Sequence, residues 1–239
     1  MTKVKPYNNL ETKKKQVTKM FDNIAGSYDF LNHTLSLGMD NIWRKIAIKE
    51  LSNKPSTILD IATGTADFAI SASKYTNATI TGIDISQGML DVGVEKITKK
   101  GLTNRIYLQL ADSEKLPFLD NSYDAITAGF GVRNFEDLNK GLSEMYRTLK
   151  PGGKVAILEP SEPTNFPLKQ FYNLYFHHIL PFIGGIVSKD KNAYTYLPDS
   201  VSAFPSGNNF LIELNKVGFK ESNHIPLSFG IVSLYIAIK

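Results

Sequence analysis

The residues best placed to do chemistry form the run Asp60, Ile61, Ala62, Thr63, Gly64, Thr65, Ala66, Asp67, between a β-type stretch and a helical one. In an open parallel sheet, ligands bind beyond the carboxyl ends of the strands, so this loop stands where a cofactor is expected. A dinucleotide loop needs G-x-G-x-x-G, which lets the backbone approach a pyrophosphate. This loop has a single glycine and begins with a carboxylate, which would repel a diphosphate. S-Adenosylmethionine carries no phosphate but has an ammonium and a sulfonium, which suit Asp60 near its methionine end and a close approach at Gly64. Asp84 ends the next β-type run, 24 positions after Asp60, close to the offset of about 20 expected for one strand-helix unit. It is placed to accept from both ribose hydroxyls, such a bond contributing roughly 1.5 to 3 kcal/mol. The third run leads into Asp112, expected to hold the adenine amino group, with Ser113 beside it. Each aspartate alone reads equally well as a helix cap or turn residue. Three at the ends of successive strands make a cofactor set.

The elements that must position these residues follow from periodicity. Residues 11 to 52 read as helical, with Val17, Met20, Phe21 and Ile24 on one stripe, Trp43, Ile46, Ala47 and Leu51 on another, and a loop-like passage at Gly26, Ser27, Asn32 and Gly38 between them. From Pro55 onward, β-type runs at 56–61, 78–84, 106–110, 123–128 and 154–158 alternate with helices at 68–75, 89–99 and from about Asp137, the last ended by Pro151, Gly152 and Gly153. Such alternation argues for βαβ units and a parallel sheet with helices on both faces, a Rossmann-like α/β architecture. Two further β-like runs, 219–224 and 231–238, are separated only by a short turn containing Pro226 and are expected to add an antiparallel edge, giving seven strands. Residues 161–210 are too rich in aromatics for a linker and read as a cover over the site. The chain is therefore expected to be one domain, 1–239, with a helical amino-terminal cover over 1–52.

Composition narrows the function classes. A length of 239 residues, 42% hydrophobic, suffices for one well-buried core. The net charge of +4 is a mild excess and decides nothing about nucleic acid or anionic lipid. With no cysteine there is neither a disulfide framework nor a thiolate metal site, and no metal is expected. No run of about 18 apolar residues occurs and residues 1–6 open no signal-like stretch, so a cytoplasmic protein is expected. The basic run Lys13, Lys14, Lys15 with Lys19 reads most simply as a solvated helix face, with acidic lipid headgroups as the alternative.

Two stretches make the reading narrower. Tyr28, Asp29, Phe30, Leu31, Asn32, then Leu35, Ser36 and Trp43, resembles the Y-D-x-M-N-x-x-L-S segment and following Trp of the ubiquinone and menaquinone biosynthesis C-methyltransferases. Arg147 to Gly153, through Glu159 and Ser161, is similar to that family's R-x-L-K-P-G-G and E-x-S, and Gly131, Val132, Arg133, Asn134 to its G-x-R-N. The likeness extends over nearly the whole chain. Leu31, Asp40 and Gly129 depart from it, standing where Met, His and a cofactor-contacting Ser are common. The resemblance implies a class I S-adenosylmethionine-dependent methyltransferase with cofactor contacts at Thr65, Asp84, Asp112 and Ser113. It also implies methylation of a ring carbon of demethylmenaquinol, with a ubiquinone-pathway 2-polyprenyl-6-methoxy-1,4-benzoquinol as alternative acceptor, and a homodimer.

A reduced quinone is a phenol-like carbon nucleophile, strengthened when a hydroxyl proton leaves. Arg133 is too basic to take that proton but its charge suits a developing oxyanion. Arg133 and Asn134 are thus expected at the quinol oxygens with Tyr28 nearby; the alternative for Arg133 is an ion pair, for instance with Glu136. A water, Asp40, His177 and His178 are the candidate bases. The aromatic segment from Phe166 to Ile183 is expected partly in the core and partly along a prenyl channel or a membrane surface, at the inner face of the plasma membrane. A nucleic-acid methyltransferase is disfavoured by the lack of an Asn-Pro-Pro-aromatic motif. A non-catalytic scaffold of a quinone-biosynthesis complex is disfavoured by the intact cofactor loop.

Overall fold

The first β-type run is hydrophobic almost throughout, as a strand covered on both faces must be. In the computed structural model it is β1 (Thr57–Ile61), fully buried from Ile58 to Ile61. The structure describes residues 4–51, 54–163, 165–167, 169–170, 172 and 191–239. Before β1 come α1 (Lys13–Leu35) and α2 (Met39–Glu50); after it α3 (Asp67–Tyr75), β2 (Thr79–Asp84), α4 (Gln87–Lys99), β3 (Ile106–Leu110) and β4 (Tyr123–Gly129) alternate. A short 3-10 turn (Val132–Asn134) leads to α5 (Leu138–Thr148) and β5 (Leu149–Pro160). Then come α6 (Lys191–Ala203), α7 (Asn208–Lys216), β6 (Lys220–Leu227) and β7 (Val232–Ile238).

The strands form a seven-stranded sheet in the order β3-β2-β1-β4-β5-β7-β6. β1 to β5 pair in parallel, whereas β7 runs antiparallel to both β5 and β6. The chain winds outward from β1 to β3 and returns on the other side of β1 with β4, so the switch point lies between β1 and β4. A crevice opens there beyond the carboxyl ends. The antiparallel edge is present, with β7 inserted inside β6. No helix of the described residues is long and apolar enough to cross a membrane.

Two boundaries depart from the periodic reading. Gly26 and Ser27 lie inside α1, which ends only at Leu35, because Val17, Met20, Ile24 and Ala25 bury a continuous face. Leu149 belongs to β5 instead of the preceding helix, since Tyr123 of β4 pairs with it. Helix α5 starts at the Asp137 cap, whose Oδ1 accepts from Lys140 N at 3.1 Å.

Helix α1 lies across the carboxyl ends of four strands. Lys13 Nζ donates to the carbonyls of Arg133 and Phe135 after β4, at 2.9 and 3.0 Å. Lys14 Nζ reaches Asp112 and Glu114 after β3, at 2.7 and 2.9 Å. Asp22 Oδ1 accepts from Ser86 Oγ and Gly88 N after β2, at 2.6 and 3.1 Å. Asp29 Oδ1 accepts from Thr65 Oγ1 after β1, at 2.5 Å. With 23 residues the helix is about 34 Å long, enough to span these loops. Lys13 and Lys14 therefore face the strand-end loops, not solvent or lipid; their partners lie about a hundred residues away, where no local pattern reveals them.

Candidate active site

The crevice is a cleft at the switch point, where small-molecule sites of open α/β sheets lie. One wall is α1, through Lys14, Val17, Phe21 and Tyr28; the floor is the strand-end loops. Of the residues expected to do chemistry, Tyr28, Gly64, Asp84, Asp112, Ser113 and Asn134 line it. Asp60, Thr65 and Arg133 are not among the lining residues, and each is held otherwise.

Asp60 sits under its loop. Thr63 Oγ1 donates to one carboxylate oxygen at 2.5 Å and Thr127 Oγ1 to the other at 2.6 Å. Thr127 is its register partner on β4, so pairing β1 with β4 is what brings it there. With both oxygens hydrogen-bonded and no exposure, the carboxylate pins the loop from below. Burial pushes its carboxyl up to about 6, against the pull of the two hydroxyls. Above the loop, Ala62, Gly64 and Ala66 all have positive φ, of 52°, 55° and 67°, a conformation that costs about 1 kcal/mol or more in alanine. The loop is locked further by Gly131: a Cβ there would lie 2.4 Å from that of Ala62.

The raised Asp60 pKa has a consequence for stability. A carboxyl whose folded pKa exceeds its unfolded one favours folding while protonated, and that advantage is lost as pH rises from 3.8 to about 6. The step is worth about 3 kcal/mol. Asp60→Asn keeps an acceptor for a threonine hydroxyl and carries no charge. Its stability relative to the native chain, read from denaturant unfolding, is expected to improve between pH 4 and pH 7. A difference independent of pH would contradict this account.

Asp84 joins two loops. Its Oδ2 accepts from Gly64 N and its Oδ1 from Ser86 N, both at 2.9 Å. Burial raises its pKa, opposed by these backbone bonds. A carboxylate oxygen accepts more than one bond, so each retains capacity toward the cleft. Asp112 is half-exposed at the rim, with Oδ1 on Glu114 N and Oδ2 on Lys14. Gly129 stands where the family commonly has a serine. Here a Cβ would lie 2.9 Å from Phe68 Cδ1, so the ring has taken that space.

Across the cleft, the 3-10 turn presents Asn134, whose Oδ1 accepts from Tyr196 Oη of α6 at 3.1 Å. Arg133 points the other way. It pairs with Glu159 of β5, Nη1 to Oε2 at 2.9 Å, and also donates to the carbonyl of Phe130 and, through Nε, to Ser200 Oγ at 3.3 Å. Glu159 Oε1 takes the N–H groups of Val132 and Arg133 at 2.6 and 3.3 Å. The ion pair considered from sequence is therefore present, with Glu159 and not Glu136 as partner. Held in this pair, Arg133 does not line the cleft. Burial raises the pKa of Glu159, and the guanidinium opposes it. Tyr28 is pushed up by desolvation and Tyr196 to about 12 by burial, so both stay protonated donors near neutral pH. Asp40 pairs with Arg44 at 2.5 Å and does not line the cleft. His177 and His178 lie outside the described residues.

Glu159, Tyr196, Ser200, Lys13 and Lys14 were not foreseen at the site. Only Glu159, in the E-x-S stretch, carried a sequence signal.

Solved structures with this fold include an S-adenosyl-L-methionine-dependent methyltransferase of Methanococcus maripaludis, TM-score 0.63 at 22% identity, with 98% of this chain and 96% of that one covered. Another is a SAM-dependent methyltransferase of Thermotoga maritima, TM-score 0.65 at 18% identity, covering 92% and 99%. The demethylmenaquinone methyltransferase of Bacteroides fragilis is 50% identical over 99% of this chain and 98% of its own length. The ubiquinone/menaquinone biosynthesis C-methyltransferase UbiE of Geotalea daltonii is 46% identical over 96% and 99%. With residues 9–239 matched by the family's model as well, the chain belongs to the ubiE/COQ5 methyltransferase family.

Proposed function

We propose that this chain transfers the methyl group of S-adenosylmethionine to a ring carbon of demethylmenaquinol, giving menaquinol. The observation that carries the reading is one cleft with Asp84 on its floor and Asn134 and Tyr28 on its walls, in a chain half identical throughout to a demethylmenaquinone methyltransferase. The methyl donor is S-adenosylmethionine, and the residues present fit it. Four carboxylates, Asp84, Asp112, Glu114 and Glu136, border the cleft and disfavour a phosphate-bearing ligand while suiting a cationic one. Val17, Phe21, Ile85, Met89 and Phe135 supply an apolar wall for adenine. Gly64 lines the cleft with a φ of 55°, a conformation that favours glycine, and so presents bare backbone to a ligand.

In this reading Asp84 holds the ribose hydroxyls, and Asp112 with Ser113 the adenine edge. Asp60 and Thr65 act one layer back, by fixing the shape of the loop. When bound, S-adenosylmethionine supplies an electrophilic methyl group on a sulfonium. Asn134 and the neutral Tyr28 hydroxyl hydrogen-bond the quinol oxygens and set the ring in line. The Arg133 charge, kept in place by Glu159, favours the phenolate over the phenol. Each unit by which the phenol pKa falls is about 1.36 kcal/mol. Helix α1 and, within residues 161–210, Tyr196 and Ser200 of α6 cover the site and limit water.

The acceptor carries a prenyl tail and resides in a bilayer, so the enzyme meets a membrane surface at least transiently. Two exposed apolar tips support this, Leu37 in the α1–α2 turn and Phe229 between β6 and β7, 85% and 82% exposed. Both have positive φ, 52° and 60°. The second segment is tied to α2 by the bond from Trp43 Nε1 to Ser228 Oγ at 2.8 Å. A ubiquinone-pathway benzoquinol is the second reading, favoured by the relative named for both pathways. The test offers demethylmenaquinol and the methoxybenzoquinol, each embedded in vesicles, with labelled methyl donor, and follows enzyme flotation alongside. Demethylmenaquinol is expected to be methylated at least about tenfold faster, a discrimination of about 1.4 kcal/mol. Equal or reversed rates would overturn the acceptor assignment, and turnover without flotation would overturn the membrane contact.

A further inference from the structure

The loop that approaches the cofactor and the helix that carries Tyr28 meet at a lysine outside the cleft. Lys96 of α4 directs its ammonium at three oxygens: Asp67 Oδ1 at 2.5 Å, Asp29 Oδ2 at 2.6 Å and Thr65 Oγ1 at 3.1 Å. An ammonium has three N–H donors, and these contacts account for all of them. The Thr65 hydroxyl closes the network by donating to Asp29 Oδ1. Side-chain exposures of 20%, 27% and 21% for Lys96, Asp29 and Asp67 leave the charges partly shielded from water.

We propose that Lys96 is a positioning residue for the methyl-transfer reaction, latching α1 onto the cofactor loop. The loop hydroxyl at Thr65, the first acid of α3 at Asp67 and the helix acid at Asp29 converge on one cation. Without it, Asp29 and Asp67 lose the cation they share across the seam between α1 and α3, and Asp67 is left with the longer approaches of Arg44 Nη2 and His33 Nε2, both at 3.7 Å. Asp29 follows Tyr28 in the chain, so the same contact sets where Tyr28 enters the cleft wall. Gly64, whose N–H is held by Asp84, precedes Thr65, so the latch acts on the loop one residue from its closest approach to the ligand. At this loop, formation of the cofactor site and closure of α1 are thus coupled through the Lys96 cation, beside the contacts that Lys13, Lys14 and Asp22 make with the other strand-end loops. This assignment rests on the methyl-donor reading above and is independent of which quinol is the acceptor.

Lys96→Met keeps the length of the side chain and removes the charge; Lys96→Arg keeps the charge and can bridge both carboxylates. The test measures S-adenosylhomocysteine affinity by calorimetry and backbone hydrogen exchange over residues 24–35, with and without that ligand. In Lys96→Met, affinity is expected to fall about tenfold. Exchange should rise in the carboxyl half of α1 and remain unchanged in the central strands. Lys96→Arg is expected to restore most of both. Asp29→Asn should reproduce the Lys96→Met effect, and the double variant should be no worse than either single one, as for two ends of one contact. Unchanged affinity and α1 protection in Lys96→Met would overturn the proposal, as would a loss that arginine does not rescue or that spreads evenly over the sheet. Neither measurement uses the quinol, so an error in the acceptor leaves both results as they are. A failure of Lys96→Met to fold is met by Asp29→Asn, which reads the same latch from α1.

Discussion

Asp84→Ala is expected to weaken S-adenosylhomocysteine binding by at least about 100-fold, measured by calorimetry on protein that remains folded. Two losses combine. The first is the proposed pair of ribose bonds, each to a charged acceptor and worth roughly 1.5 to 3 kcal/mol. The second is internal: Gly64 N and Ser86 N both donate to this carboxylate, and removing it strands two backbone donors at the cleft floor. An unsatisfied buried donor costs about 1 to 3 kcal/mol, so both loops shift to find water and the cradle loses its shape. Asp84→Asn separates the two contributions. Its amide retains one acceptor but turns an NH₂ toward one of those backbone N–H groups, so intermediate affinity is expected. The pH dependence has a definite sign. The charged form is the acceptor for all four hydrogen bonds, and burial raises the pKa. Affinity should therefore hold at neutral pH and decline as acid protonates the group, earlier than for a free aspartate. Alanine at position 84 with native affinity would remove the ribose assignment.

Asp60 and Asp84 read alike from sequence, as cofactor contacts at strand ends, and the structure surrounds them differently. Both are acidic residues at strand ends, and residue type with position along the chain is identical evidence for each. What separates them is lateral neighbours. Asp60 has Thr127 beside it in register on β4, and Thr63 folds back over it, so each oxygen carries a hydroxyl and the group is fully buried. Asp84 has only backbone N–H partners and faces the crevice. The alternation of strands and helices, each spanning a few residues, was readable locally, and with it the parallel sheet and the switch point. Contacts made by α1 were not. Lys14 meets Asp112 and Lys13 meets the carbonyl of Arg133 only because the helix lies across the strand ends. A helix-face pattern shows which side is apolar and says nothing of what its lysines will reach. The family resemblance located Arg133 and Asn134 together, but the turn divides them, one side chain to the cleft and one to Glu159.

The buried Arg133–Glu159 pair yields the second large effect. Side-chain exposure is 8% for Arg133 and nil for Glu159, so removing either partner leaves an uncompensated charge, a loss of about 3 to 5 kcal/mol. Arg133→Ala and Glu159→Ala are both expected to unfold at markedly lower denaturant concentration, and neither alone distinguishes catalysis from packing. The informative variant is the double one, Arg133→Met with Glu159→Gln. Glutamine still offers an oxygen to the N–H groups of Val132 and Arg133, so the 3-10 turn and Asn134 should keep their place. Methionine fills much of the arginine volume without its charge. Stability is then expected within about 1 kcal/mol of native, because a hydrophobic or neutral replacement escapes the desolvation cost that the pair carries. Turnover is a different matter. In the proposed reading the Arg133 cation favours the phenolate, and each unit of phenol pKa left unlowered without it costs about tenfold in its population. The expected result is kcat reduced about tenfold to 100-fold with unchanged S-adenosylhomocysteine affinity, and recovery of rate as pH is raised, since solvent then supplies the deprotonation that the charge had assisted. Native kcat in a stable double variant would reduce the pair to a structural device, and an equal loss at every pH would mean that the charge acts on alignment instead of ionisation.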